Sequence, residues 1–202
     1  MNRINAVAPA ERNKRPIFEH LTPLLLDARH VLEIGAGDGT HARHARNCLP
    51  DIRWQTTEHP DRMALLRQGL ADSRELPVPQ ELDVTQNGQW PRTGQDAVYA
   101  ANVTHIMHWP AVEALFAGAA GVLKPGGMLC LYGPFVDAGV ATADSNRDFD
   151  RSLRQRDAGM GLRRIQALHE LAAHHGLVAS HDWPMPANNR LLVWRRSASA
   201  AG

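Results

Sequence analysis

The chain has 202 residues, 44% of them hydrophobic and 21% charged, with a formal net charge of +1. That is enough chain for one domain with a full core, and so even a balance argues against a whole-protein field for nucleic acid or an anionic membrane. Two cysteines, Cys48 and Cys130, imply no disulfide framework, and no window approaches the ~20 apolar residues of a membrane span.

Residues 1–9 lack the apolar core of a signal peptide. A soluble, cytoplasmic, single-domain chain is therefore expected. The eleven histidines are scattered without the carboxylate or cysteine neighbours of a dedicated metal site, so no metal is expected.

In chain order, an extended arm leads to a helix over Glu11–Leu26, whose apolar positions Ile17, Leu21, Leu24 and Leu25 share a face. Pro16 and Pro23 could kink or divide it. Val31–Ile34 reads as a first, buried strand and Thr40–Cys48 as the next helix. A second strand runs from Asp51 to Glu58, followed by a helix over Pro60–Leu70, with Pro60 near its tolerated first-turn place. Pro79–Val84 holds a short third strand. Asp96–Ala101 is a fourth, apolar as a central parallel strand should be. Pro110–Leu123 is a helix, punctuated by Lys124-Pro125-Gly126-Gly127, and Met128–Tyr132 is a fifth strand. Gly133–Arg147 is polar and reads as a loop over the site. Arg147–Arg156 and Arg163–His175 read as helices, and Leu177–Trp183 with Arg190–Trp194 as a closing strand pair. Alternating strands and helices argue for an α/β fold with helices on both faces of a mostly parallel sheet, and the last two strands for an antiparallel hairpin at one edge.

Chemistry concentrates at the end of the first strand, where Glu33-Ile34 runs into Gly35-Ala36-Gly37-Asp38-Gly39. Glycines at every second position allow φ > 0 and close approach of backbone to a ligand, and a strand-to-helix turn aims N–H groups and a helix N-terminus at it. A dinucleotide turn, G-x-G-x-x-G, would need its third glycine at Thr40, and here it stands one residue earlier, at Gly39. Glu58 ends the second strand, where a carboxylate can accept two hydroxyl hydrogens at once; it could equally be an ordinary surface glutamate.

The pattern Glu33-x-Gly35-x-Gly37-x-Gly39 resembles the first motif of the seven-stranded, Rossmann-like S-adenosylmethionine-dependent methyltransferases of class I. That resemblance implies S-adenosylmethionine as cofactor, with Glu33, Gly35, Ala36, Gly37 and Gly39 around its amino-acid and ribose parts and Glu58 on the ribose diol. It also implies Asp83 and Val84 beside the adenine, and Asn102, at the fourth strand's tip, facing donor and acceptor. Asp83 could instead form an Asx turn. His105 and His108 are candidates for proton handling, since histidine near its ordinary pKa accepts a proton at neutral pH; His105 could equally be a packed residue satisfying a loop carbonyl.

Further blocks extend the likeness over nearly the whole chain: Ala8-Pro9-Ala10-Glu11-Arg12-Asn13-Lys14, Leu82-Asp83-Val84-Thr85, Leu131-Tyr132-Gly133-Pro134-Phe135, Ser145-Asn146-Arg147-Asp148-Phe149-Asp150 and Met185-Pro186-Ala187-Asn188-Asn189. Together they resemble the domain-of-unknown-function 938 family, which includes methyltransferase-like protein 26. Asn13, Tyr132, Asn146, Asp150 and Asn188 are then candidates to line a small polar acceptor pocket, although Asn and Asp also cap helices and form turns.

The reading is a methyltransferase for a small polar molecule. Residues 1–28 cover the site, 29–196 form the cofactor-binding domain and 197–202 a flexible tail. The expected partner is a small-molecule acceptor, without nucleic acid or membrane, in a chain that could form a homodimer. The rivals are a nicotinamide-dependent oxidoreductase and a non-catalytic cofactor-binding protein.

Overall fold

A computed structural model describes residues 8–91, 94–139 and 142–198. The arm expected over residues 1–7 and residues 199–202 of the expected tail lie outside the described residues.

Helix α1 (Pro9–Leu24) opens the described chain with a proline in its first turn and buries Asn13, Ile17, Phe18 and Leu21 along one side. It runs continuously past Pro16. The lost ladder bond, ~3 kcal/mol in an isolated helix interior, is outweighed by that buried stripe. Strand β1 (His30–Ile34) leads through the glycine turn into α2 (Thr40–Cys48). Then follow β2 (Arg53–Glu58), a 3-10 turn at Pro60–Arg62, α3 (Met63–Gly69), β3 (Gln80–Glu81), β4 (Gln95–Ala101) and α4 (Trp109–Val122). The chain continues as β5 (Leu123–Gly133), β6 (Phe135–Val136), α5 (Asp144–Arg156), β7 (Arg163–Arg164) and α6 (Ile165–His174), and closes with β8 (Leu177–Met185) and β9 (Asn189–Arg196).

Seven strands form one sheet in the order β3-β2-β1-β4-β5-β9-β8. The first five run parallel, while β9 lies antiparallel between β5 and β8. The fold is thus the expected mixed α/β sheet with an antiparallel edge hairpin.

Period two sorts the strand residues onto the two faces. Leu32, Ile34, Val98, Leu129 and Leu131 pack with α4 and α6, whereas Val31, Trp54, Tyr99, Cys130 and Tyr132 pack with α1 and α2. Each fully buried large apolar side chain contributes ~1.5–3 kcal/mol. These two layers fix the sheet, and with it the carboxyl ends of β1, β2, β4 and β5. Chain order reverses between β1 and β4, the place where open α/β sheets bind ligands.

Three expectations need correction. The third strand is only Gln80–Glu81: Pro79 offers no N–H to a ladder, and beyond Leu82 the chain folds into a turn in which Asp83 accepts the Thr85 N–H and hydroxyl. Gly133–Arg147 is not all loop: Phe135–Val136 pairs with Arg163–Arg164, and α5 begins at Asp144. The last helix therefore begins at Ile165 rather than Arg163.

Candidate active site

All three glycines of the turn have left-handed φ, at 66° for Gly35, 62° for Gly37 and 76° for Gly39, but they do different work. A Cβ on Gly35 would sit 2.5 Å from Val103 Cγ1 and one on Gly39 2.4 Å from Leu70 Cδ2, whereas one on Gly37 would meet nothing within 4 Å. Gly35 and Gly39 thus serve packing, and Gly37 faces open space among the described residues. Asp38 braces the turn by accepting the N–H of Thr40 at 3.0 Å, and Arg43 donates to the carbonyls of Asp38 and Gly69.

Glu58 closes the turn from β2. Its Oε2 accepts the Gly37 N–H at 2.7 Å and its Oε1 the His59 N–H at 2.9 Å, with the Arg62 guanidinium 4.0 Å from Oε1. Gly35, Ala36, Gly37, Glu58 and Asn102 all border one cavity of about 430 Å³. Gly39 is not on that wall.

An adjoining cavity of about 410 Å³ shares Gly35, Glu58, Arg62, Val103 and Ile106 with the first and extends past Leu82, Asp83 and Val84 to Met107 and Ala111. Its apolar walls suit a flat ring. Asp83 is both wall and turn: its Oδ1 accepts the Thr85 N–H at 3.0 Å and the Thr85 hydroxyl at 2.7 Å, and these bonds hold its pKa down.

On the other side, a third cavity of about 530 Å³ meets the first at Pro9 and Asn102. Asn13, Tyr132, Asn146 and Asn188 come together on its wall, with His105. Asn146 donates to the carbonyl of Asn188 at 3.1 Å and Asn188 to the Ser145 hydroxyl at 3.1 Å, joining α5 to the β8–β9 turn. Three non-glycine residues have left-handed φ among the described residues, namely Asn102 at 59°, Ala187 at 58° and Asn188 at 57°, and all three line this cavity. Such backbone costs on the order of 1–3 kcal/mol each and clusters at functional sites.

His105 is 5% exposed and its Nδ1 has no hydrogen-bond partner. Burial, with Arg163 and Arg156 nearby, pushes its pKa down to about 4, away from the ordinary value on which its sequence assignment as a base rested.

The remaining predicted residues lie elsewhere. Glu33 points into the α1 and α2 layer, because it shares a strand face with Val31. It accepts the Trp54 indole N–H at 2.6 Å, and His41 Nδ1 stands 3.8 Å away. Burial raises its pKa to about 8 and lowers that of His41 to about 4, so the pair is neutral near pH 7. His41 Nε2 in turn bonds Asn13 Oδ1 at 2.8 Å, which fixes that amide beside the third cavity. His108 lies at the outer end of the second cavity, paired with Asp157 at 2.9 Å, and is not on the wall of the third. Asp150 turns away to accept the Leu162 N–H at 2.7 Å and Arg154 Nε at 2.9 Å, so it ties α5 to the following turn.

Arg62, Arg12 and Phe149 also line the three cavities and were not expected. Arg62 reaches Glu58 across the turn that follows β2, and nothing local in the sequence marks any of the three. Among the described residues, no cluster of His, Cys, Asp or Glu could hold a metal ion, and no helix is long and apolar enough to cross a membrane.

The architecture is shared with solved methyltransferase structures. An O-methyltransferase family protein from Burkholderia thailandensis superposes with a TM-score of 0.77 at 16% identity over 94% of this chain and 59% of that one. Human N-acetylserotonin methyltransferase, in complex with S-adenosylmethionine, does so with a TM-score of 0.75 at 16% identity over 92% of this chain and 52% of that one. This chain thus spans little more than half the length of those proteins. Highly reducing polyketide synthase 40 of Fusarium mangiferae is 35% identical over 107 residues, which is 52% of this chain and 4% of that protein. The fold is accordingly the Rossmann-like methyltransferase fold, and the family model described as "Protein of unknown function (DUF938)" matches residues 5–196, so the chain belongs to the DUF938 family.

Proposed function

We propose that the protein is an S-adenosylmethionine-dependent methyltransferase acting on a small polar molecule. The observation that carries this reading is the cradle at Gly37, where a left-handed residue without a Cβ faces open space and its N–H is held by the carboxylate of Glu58. Glu58 would receive the ribose hydroxyls, Gly35 to Gly37 the neighbouring backbone-facing part, and Leu82, Asp83 and Val84 the adenine, in the two joined cavities. Bound there, S-adenosylmethionine supplies an electrophilic methyl group already activated by the sulfonium charge. The motif blocks that run through the chain support a place near methyltransferase-like protein 26 within the family.

The chain's own contribution is orientation. Asn102 stands on both the donor and the acceptor cavity, held in its strained conformation by its N–H bond to the Tyr132 carbonyl at 2.8 Å. Fixing an acceptor in line at that junction is worth a large part of a transfer barrier. His105 is neutral near pH 7 and too weakly basic to be an efficient general base there, so its role is to hold a hydrogen bond at Nδ1. His108, exposed and paired with Asp157, is assigned no role in transfer.

Incubation with methyl-labelled cofactor and a metabolite extract tests the reading. Label appearing in a small polar compound supports it; cofactor binding with no label transferred to any compound points to a non-catalytic binding protein.

A further inference from the structure

Among the described residues, the wall of the third cavity carries amides, hydroxyls, one imidazole and one guanidinium, that of Arg12, set among prolines, Ala187 and Phe149, and no carboxylate. Pro9, Arg12 and Asn13 come from the first turns of α1, a 16-residue helix whose N-terminus has no side-chain cap. The positive end of the helix dipole therefore borders this junction at Pro9. Burial raises the Tyr132 pKa on this wall, while hydrogen bonds with Asn13 and Asn189 and the Arg12 charge oppose that shift.

A second observation points to a ligand. His105 Nδ1 is buried and unpartnered, and an orphan of this kind costs ~1–3 kcal/mol unless something satisfies it. His105 Nδ1 and Asn102 Oδ1 lie 3.8 and 3.6 Å from where a Cβ on Gly133 would stand. Both therefore border the space which that glycine leaves. Beside them Phe149, 39% exposed, offers an apolar ring set edge-on to His105 at 5.2 Å.

We propose that this cavity selects a small organic acid, with its carboxylate toward Arg12 and the α1 N-terminus, a further oxygen at His105 Nδ1 and Asn102 Oδ1, and its flat apolar body against Phe149. An ammonium substrate would lose water on entry and meet no carboxylate in return. The inference names the acceptor class of the methyltransferase proposed above and rests on that reading for its chemistry, though not for its binding.

The experiment is calorimetric titration of the full chain, with and without S-adenosylhomocysteine, using benzoate, salicylate and 4-hydroxybenzoate against benzylamine and benzamide. At least one carboxylate is expected to bind about tenfold or more tighter than benzylamine. Arg12→Met should weaken that carboxylate about tenfold and leave S-adenosylhomocysteine affinity unchanged. His105→Phe, a buried change checked for folding by circular dichroism, should weaken the hydroxybenzoates more than benzoate. If S-adenosylhomocysteine binds but benzylamine binds as tightly as the carboxylates, or no carboxylate binds, the inference is overturned and the donor reading stands. If the carboxylates bind selectively and S-adenosylhomocysteine does not, the acid site stands and the methyltransferase reading falls.

Discussion

The carboxylate of Glu58 accepts the backbone N–H of Gly37 at 2.7 Å and so ties the end of β2 to the open face of the glycine turn. A charged acceptor on a backbone donor is worth ~1.5–3 kcal/mol, and the same carboxylate is the proposed ribose ligand. Glu58→Ala should therefore weaken S-adenosylhomocysteine binding at least about tenfold, measured by calorimetry, while the melting temperature falls by only a few degrees. Unchanged affinity would remove Glu58 from the ligand's surroundings.

The three glycines should separate under the same substitution. Gly37→Ala meets no atom of the described residues within 4 Å, so it should cost only the ~1 kcal/mol of a left-handed alanine while placing a methyl in the proposed cofactor space. Gly39→Ala drives a Cβ to 2.4 Å from Leu70 Cδ2 and should lose ~2–4 kcal/mol from strain plus overpacking. Chemical denaturation together with calorimetry should find Gly37→Ala stable but poor at binding, and Gly39→Ala unstable.

Glu33 gives a pH signature. Its carboxyl keeps a proton in the fold up to about pH 8, against an ordinary value of 4.5. The folded state then binds the extra proton between those values, so this group's stabilisation falls as pH rises through that window. His41 and His105, lowered to about 4, act oppositely, adding stability as pH rises from about 4 to 6.5. Above pH 6.5 the Glu33 slope stands clear of them. Glu33→Gln can still accept from Trp54 and should gain on the order of a few kcal/mol over wild type between pH 6.5 and 8. A constant difference between the two proteins across pH 5–9 would contradict this.

Legibility followed locality. Thr40–Cys48 appears as read, because a glycine turn and an amphipathic run lie next to each other in the chain. The pairing of Phe135–Val136 with Arg163–Arg164 joins segments far apart in sequence and leaves no local pattern. Glu33 shows the same limit at the site. Its place in the motif pointed toward the ligand, whereas the period-two rule, with Val31 on the same face, already pointed it at Trp54 and His41. Which polar residues of the later blocks face inward depended on α5 docking against the β8–β9 turn: it turned Asn146 in and Asp150 out.

That turn carries a further prediction. Ala187 has φ 58° with an ordinary Cβ, so Ala187→Gly should relieve strain and raise stability by up to ~1 kcal/mol, read from urea denaturation. The third cavity should loosen in return, weakening the proposed carboxylate binding.

The most direct test of the central claim is calorimetric titration of the full chain with S-adenosylhomocysteine and, separately, with NADH. The account predicts saturable one-to-one binding of S-adenosylhomocysteine in the micromolar range or tighter, with no heat from NADH. Saturable NADH binding without any S-adenosylhomocysteine binding would contradict it.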